Sequence, residues 1–188
     1  MSRVIHVFRQ PERFVAGTVG EPGDRSFYLQ AIEDARTISV LLEKQQVSVL
    51  ADRISALLQE VARRFGDEVP DEGGGNDLDP LAVPLEEEFR VGTMGLGWDA
   101  DSRSIVVELL AVTDEEIDES VVLDDTEEGP DALRVFLSPP QAWAFAERAE
   151  KVVSAGRPPC PLCAEPLDPE GHVCIRLNGY HQRSPIGE

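Results

Sequence analysis

The stretch FVAGTVGEPGDRSFYLQAI, residues 14–32, returns later in the chain as FRVGTMGLGWDADSRSIVVELL, residues 89–110. Phe14, Gly17-Thr18 and Gly20 answer to Phe89, Gly92-Thr93 and Gly95, and Arg25-Ser26 to Arg103-Ser104. The second copy holds three more residues in its turn. The parallel resumes with VLLEKQQ, 40–46, against VFLSPPQ, 135–141. Self-similarity at such spacing is the mark of duplicated supersecondary units. Within each copy, runs rich in Val, Ile, Phe, Thr and Tyr flank Pro22-Gly23-Asp24 or Asp99-Ala100-Asp101, the pattern of antiparallel strands joined by hairpins. Strands are expected at 3–9, 13–19, 25–33 and 36–42, then at 88–97, 103–113 and 132–137.

A helix follows each set. Val47, Leu50, Ile54, Leu57, Leu58, Val61 and Phe65 recur at three- and four-residue steps and form one apolar stripe, with Asp52, Arg53, Glu60 and Arg63 outside it. The second helix has Ser138 to cap it, Pro139 in its first turn and a stripe of Ala142, Phe145, Ala146, Ala149 and Val152. Gly156 and Pro158 stop it. The fold class is therefore α+β: two pseudo-repeated units, each an antiparallel sheet backed by a helix. A three-stranded sheet with one helix buries little surface alone, so the units are expected to pack together.

The net charge of −19 has a local origin. Residues 67–88 hold nine acidic side chains and residues 114–131 hold ten, neither segment containing Lys or Arg. The organisation that follows is a first repeat at 1–66, an acidic Gly/Pro-rich linker at 67–86, a second repeat at 87–156 and a tail at 157–188. The run at 114–131 replaces the tight turn at 33–36 of the first copy. It reads as an inserted, flexible and solubilising loop, with Ile117 and Val121 to Leu123 as the features a docking surface for a basic partner would need. The longest apolar stretch, 105–112, is short and interrupted by Glu108, and the N-terminal stretch lacks a signal peptide's apolar core, so a cytoplasmic address without membrane spans is expected.

All three cysteines lie in the tail. An odd number in so short a span makes a poor disulfide framework and suits metal binding in a reducing compartment. Cys160 and Cys163 have the C-x2-C spacing with which a tight turn presents two thiolates to one ion. His172 and Cys174, two residues apart on an extended segment, face the same side. The resulting Cys3His set suits structural Zn2+, with His181 as a possible substitute for His172. A catalytic zinc deaminase would need a His-x-Glu or Cys-x-Glu before Cys160, and none occurs. Arg176, Tyr180, His181 and Arg183 could stack on bases and touch phosphate, but Asp168, Glu170 and the acidic runs oppose nucleic-acid contact.

Other motifs dissolve on inspection. Residues 17–26 lack the lysine of a phosphate loop, residues 72–79 give a single degenerate copy of a calcium repeat, and no G-x-S-x-G elbow exists. His6, alone on an apolar strand, reads as a structural histidine, and Trp98 and Trp143 as core or interface aromatics.

Taken in order, RFVAGTVG, FYLQA, EKQQV, FRVGTMGLGWD, AGRPPCPLC, PLDPEGH and RLNGY resemble an actinobacterial family of uncharacterised repeat proteins, a domain of unknown function, over essentially the full chain. The resemblance implies a cytoplasmic protein with a duplicated core and a metal knuckle at Cys160, Cys163, His172 and Cys174, and carries over no catalytic residue. Ala164, Ile175 and His181 stand where the family pattern has glycine, proline and arginine. The expected role is a non-enzymatic zinc-containing scaffold or adaptor acting on a protein partner. An enzyme or small-molecule-binding protein with a cleft between the repeats is the alternative, and a single-stranded nucleic-acid module using the tail the third.

Overall fold

The computed structural model describes residues 2–66, 77–117, 119–156, 158–165, 167 and 171–178. In chain order the strands are β1 (Ile5–Phe8), β2 (Arg13–Val19), β3 (Ser26–Glu33) and β4 (Arg36–Leu42), followed by helix α1 (Lys44–Phe65). Then come β5 (Glu87–Asp99), β6 (Ser104–Ala111), β7 (Ala132–Leu137) and helix α2 (Pro139–Ser154). A one-turn helix, α3 (Ile175–Asn178), lies beyond them. The α+β class is as expected, and each strand falls within a few residues of its sequence assignment.

All seven strands form one sheet in the order β1-β7-β6-β5-β4-β3-β2. β2-β3-β4 and β5-β6-β7 are antiparallel meanders, joined in parallel where β4 meets β5. β5 serves both groups by bending. Its first residues pair with β4, its last with β6, and the register shifts between Val91 and Met94.

The position of β1 determines the curvature. β1 runs parallel to β7 at one edge of the sheet, while β2 forms the other edge. In a flat sheet those edges would stand about 29 Å apart, yet the five residue steps from Phe8 to Arg13 reach roughly 18 Å at most. The sheet therefore curls until its edges approach at this end. The contacts agree: Arg36, at the β3–β4 turn, donates to the Val7 carbonyl at 2.6 Å and lies over the Phe8 ring at 4.3 Å.

Alternation of side chains divides the sheet into two faces. Phe27, Leu29 and Ala31 of β3, Val40 and Leu42 of β4, Ile105, Val107 and Leu109 of β6, and Leu133, Val135 and Leu137 of β7 share one core with the two helices. α1 contributes Val47, Leu50, Ala51, Ile54, Leu58 and Val61, and α2 contributes Ala142, Phe145, Ala146 and Ala149. The helices pack on each other, and α2 runs along β2, where Phe145 stacks on Phe14 at 4.7 Å. The predicted stripe of α1 departs from the structure at one residue. Phe65 is 57% exposed and stacks on Trp98 at 6.1 Å, because Gly66 (φ 67°) turns the chain away in the left-handed conformation. The cap of α2 is as read: Ser138 Oγ accepts the Gln141 N–H at 3.4 Å, and the Gln141 side chain accepts the Ser138 N–H at 3.1 Å.

The opposite face is covered by the acidic segments, which differs from their reading as solvated linker and flexible loop. Residues 77–86, the described part of the first segment, cross β2 to β4. Leu81 fills the space above Gly17, where a Cβ would stand 2.5 Å from Leu81 Cγ, and Gln30 exchanges two hydrogen bonds with the Ala82 backbone at 2.8 and 3.0 Å. Arg13 and Arg148 both hold Asp77, at 2.6 and 3.2 Å, and Arg148 also donates to the Ala16 carbonyl of the edge strand. In the second segment Val122 and Leu123 sit above Gly95 and Gly97 of β5. The Leu123 N–H donates to Glu108, which is fully buried and accepts two hydrogen bonds from Arg134 at 2.9 and 2.7 Å. Arg134 in turn reaches Asp125 at 2.5 Å, and Arg3 donates to the Asp124 and Pro130 carbonyls. The physical reason is plain. A few apolar side chains and a few carboxylates, Asp77 in the first segment and Asp125 and Asp131 in the second, find fixed partners in the body, and Asp114, Glu115, Glu116, Glu127 and Glu128 face solvent.

Candidate metal centre

After α2 the chain enters a short hairpin built on backbone hydrogen bonds. The Cys160 N–H donates to the Glu165 carbonyl at 2.7 Å, the Ala164 N–H to the Cys160 carbonyl at 2.9 Å and the Leu167 N–H to the Pro158 carbonyl at 2.9 Å. This turn sets Cys160 and Cys163 side by side, and Ala164 closes it in the left-handed conformation (φ 62°). Gly171 (φ 115°) then brings His172 and Cys174 back against the hairpin.

The donor atoms of Cys160, Cys163, His172 and Cys174 all lie within 4.8 Å of one another. Cys160 Sγ is 3.9 Å from Cys174 Sγ, and Cys163 Sγ is 3.0 Å from His172 Nε2. Zinc–sulfur bonds of about 2.3 Å and zinc–nitrogen bonds of about 2.0 Å in a tetrahedron imply ligand separations of roughly 3.8 and 3.5 Å. The four side chains thus have the identity and spacing to hold one metal ion such as zinc. Cys160 and Cys174 are buried, while Cys163 and His172 are half-buried.

Backbone geometry shapes the thiols as well. The N–H groups of Cys163 and Leu162 point at the Cys160 sulfur and push its pKa down to about 6. Burial pushes the Cys163 thiol up, reinforced by the neighbouring Cys160 and Cys174. One sulfur of the turn is therefore held toward the thiolate and its neighbour toward the thiol.

The structure brings together all four residues of the predicted Cys3His set. His181, the proposed substitute, lies outside the described residues, as do Tyr180 and Arg183. Sequence reasoning did not foresee the left-handed positions that aim the ligands. The available signal was Gly171, a residue type that adopts positive φ without steric cost. His6 meets Glu88 Oε1 at 3.0 Å, in keeping with a structural histidine. Trp98 and Trp143 both pack against the core, as expected.

The family profile described as Protein of unknown function (DUF3090) matches residues 6–174. The chain belongs to the DUF3090 family. The match runs from within β1 to Cys174, so the four candidate metal ligands fall inside the DUF3090 domain and are not an appendage to it. No curated protein and no solved structure shows a significant match to the chain. Among its described residues no helix is long and apolar enough to cross a membrane.

Proposed function

We propose that this DUF3090 protein is a non-enzymatic scaffold or adaptor of the cytoplasm whose C-terminal lobe is folded by structural zinc and whose surface recruits a protein partner. The observation that carries the reading is the closed donor set. Four nitrogen and sulfur ligands complete a tetrahedron and leave no position for water or substrate, the arrangement of structural sites. Two further features support recruitment of a partner. Leu162, Val173 and Ile175 of the metal lobe are exposed apolar side chains, and the acidic segments present Asp114, Glu115, Glu116, Glu127 and Glu128 to solvent, a surface complementary to a basic partner.

The same reading takes β2-β3-β4-α1 and β5-β6-β7-α2 as copies of one unit. It is supported by Gln30 and Glu108, which occupy matching places in the two quoted stretches. Each bonds the backbone of the acidic segment that covers its half of the sheet.

Native mass spectrometry of protein purified without added metal tests the zinc claim. One zinc per chain is expected, lost in Cys174→Ser together with the protection of residues 158–178 from hydrogen exchange. A metal-free chain with the same protection would refute the claim. Affinity capture of a single stoichiometric protein, lost when Val173 and Ile175 are replaced by serine or when Glu115, Glu116, Glu127 and Glu128 are neutralised, is the outcome expected for an adaptor.

A further inference from the structure

The metal lobe offers its ligands unequally to solution. Cys160 and Cys174 are 6% and 3% exposed, whereas Cys163 is half-buried, as is His172 beside it. We propose that Cys163 is a peroxide-reactive modification site, oxidation of which exchanges the metal for a disulfide within the lobe. The inference rests on the zinc reading, and the contrast between one accessible sulfur and two sheltered ones within 4.8 Å of it carries the choice of Cys163.

The chemistry needs hydrogen peroxide as oxidant. The Cys163 thiolate attacks one peroxide oxygen. A sulfur–oxygen bond forms, the oxygen–oxygen bond breaks and hydroxide leaves, giving a sulfenic acid. One of the two buried thiolates, both with sulfurs within 4.8 Å, then attacks the Cys163 sulfur. A sulfur–sulfur bond forms, the sulfur–oxygen bond breaks and a second hydroxide leaves. Two protons convert both hydroxides to water. Two sulfurs have together lost two electrons, and the peroxide has gained them. One thiolate and His172 remain, too few to hold zinc, and the ion departs.

Geometry gives this reaction an order. The accessible sulfur meets the oxidant, and the sheltered pair supplies the resolving partner, the arrangement expected of a reversible redox cysteine. The backbone hydrogen bonds of the hairpin, from Cys160 to Glu165 and from Ala164 to Cys160, involve no metal ligand atom, so the turn can outlast the ion. Reduction in the presence of zinc then restores the original lobe.

The test uses the full chain, with its metal content measured beforehand. Hydrogen peroxide is added at low excess with a 1,3-dicarbonyl probe for sulfenic acid, while a chromogenic chelator follows the metal. The expected result is probe on Cys163 at early times. In its absence, zinc release should be one-to-one with a disulfide that contains Cys163, reversed by dithiothreitol plus zinc. Probe on Cys160 or Cys174, a Cys160–Cys174 cross-link, or zinc retained through complete oxidation would overturn the proposal. A chain purified free of metal would remove the zinc reading instead, and with it the exchange of metal for disulfide.

Discussion

Replacing Glu108 by glutamine tests whether the second acidic segment is held to the sheet by buried charge. Glu108 is fully buried on β6 and accepts two Arg134 hydrogen bonds, at 2.9 and 2.7 Å, and one from the Leu123 N–H, with Arg3 Nη2 at 3.8 Å. Glutamine keeps one acceptor oxygen and turns an NH2 group toward guanidinium donors. Breaking a buried pair by removing one partner costs about 3–5 kcal/mol. Arg134 keeps Asp125 at 2.5 Å and the Asp124 carbonyl at 2.9 Å, so the lower end applies, about 3 kcal/mol. For a chain of this size that corresponds to a fall in Tm of roughly 6–12 °C. Urea and thermal unfolding followed by circular dichroism give the value. The double variant Glu108→Leu/Arg134→Met should be less destabilised than Glu108→Leu alone, because it leaves one fewer buried unpaired charge. A loss below about 1 kcal/mol in Glu108→Gln, or a double variant as weak as the sum of its parts, would refute the reasoning.

Two further outcomes are expected. Ala164 adopts φ 62°, a conformation that costs an L-residue roughly 1–2 kcal/mol, so Ala164→Gly should strengthen zinc retention against a competing chelator by about fivefold or more, and unchanged competition would count against strain at that turn. The Arg13 hydrogen bond, helped by the Asp79 N–H and the charges of Arg13 and Arg148, holds the Asp77 carboxyl below the usual carboxylate range. A group with a depressed folded pKa contributes stability above its unfolded pKa and loses it as pH falls through the folded value. Asp77→Asn should therefore destabilise the chain near neutral pH and flatten its stability profile below about pH 4, the ordinary Asp range. Parallel profiles for wild type and variant would show that Asp77 carries no such linkage.

The meanders and helices were legible because their signals are local. Alternation along 26–33, the Pro22-Gly23-Asp24 turn, the stripe of α1 and the Ser138 cap each act over a few residues. The cluster of Cys160, Cys163, His172 and Cys174 was legible for the same reason, since it lies in one short span with the spacing of a metal-ligand set. What sequence reading could not supply were contacts made at long range by unremarkable residues. Leu81, Val122 and Leu123 look like minor interruptions of acidic runs, and their seats are glycines whose missing side chains read equally well as turn signals. Arg134 and Arg148 look like surface cations on a strand and a helix until Glu108 and Asp77 are placed beside them. β1 offered an apolar run but no hint that its neighbour would be β7.

That placement of β1 has a consequence for synthesis. Ile5 pairs with Ala132, and Arg3 bonds Pro130 across 127 positions of sequence, so β1 is synthesised long before the strand that it pairs with. At the usual rate of elongation the strand must wait about 6–25 s for the chain that completes it. Meanwhile β2, β3, β4 and α1 can assemble from local contacts alone. Order of synthesis and order of pairing thus differ for β1, which acts as a closing seam on a sheet whose other six strands follow it in sequence.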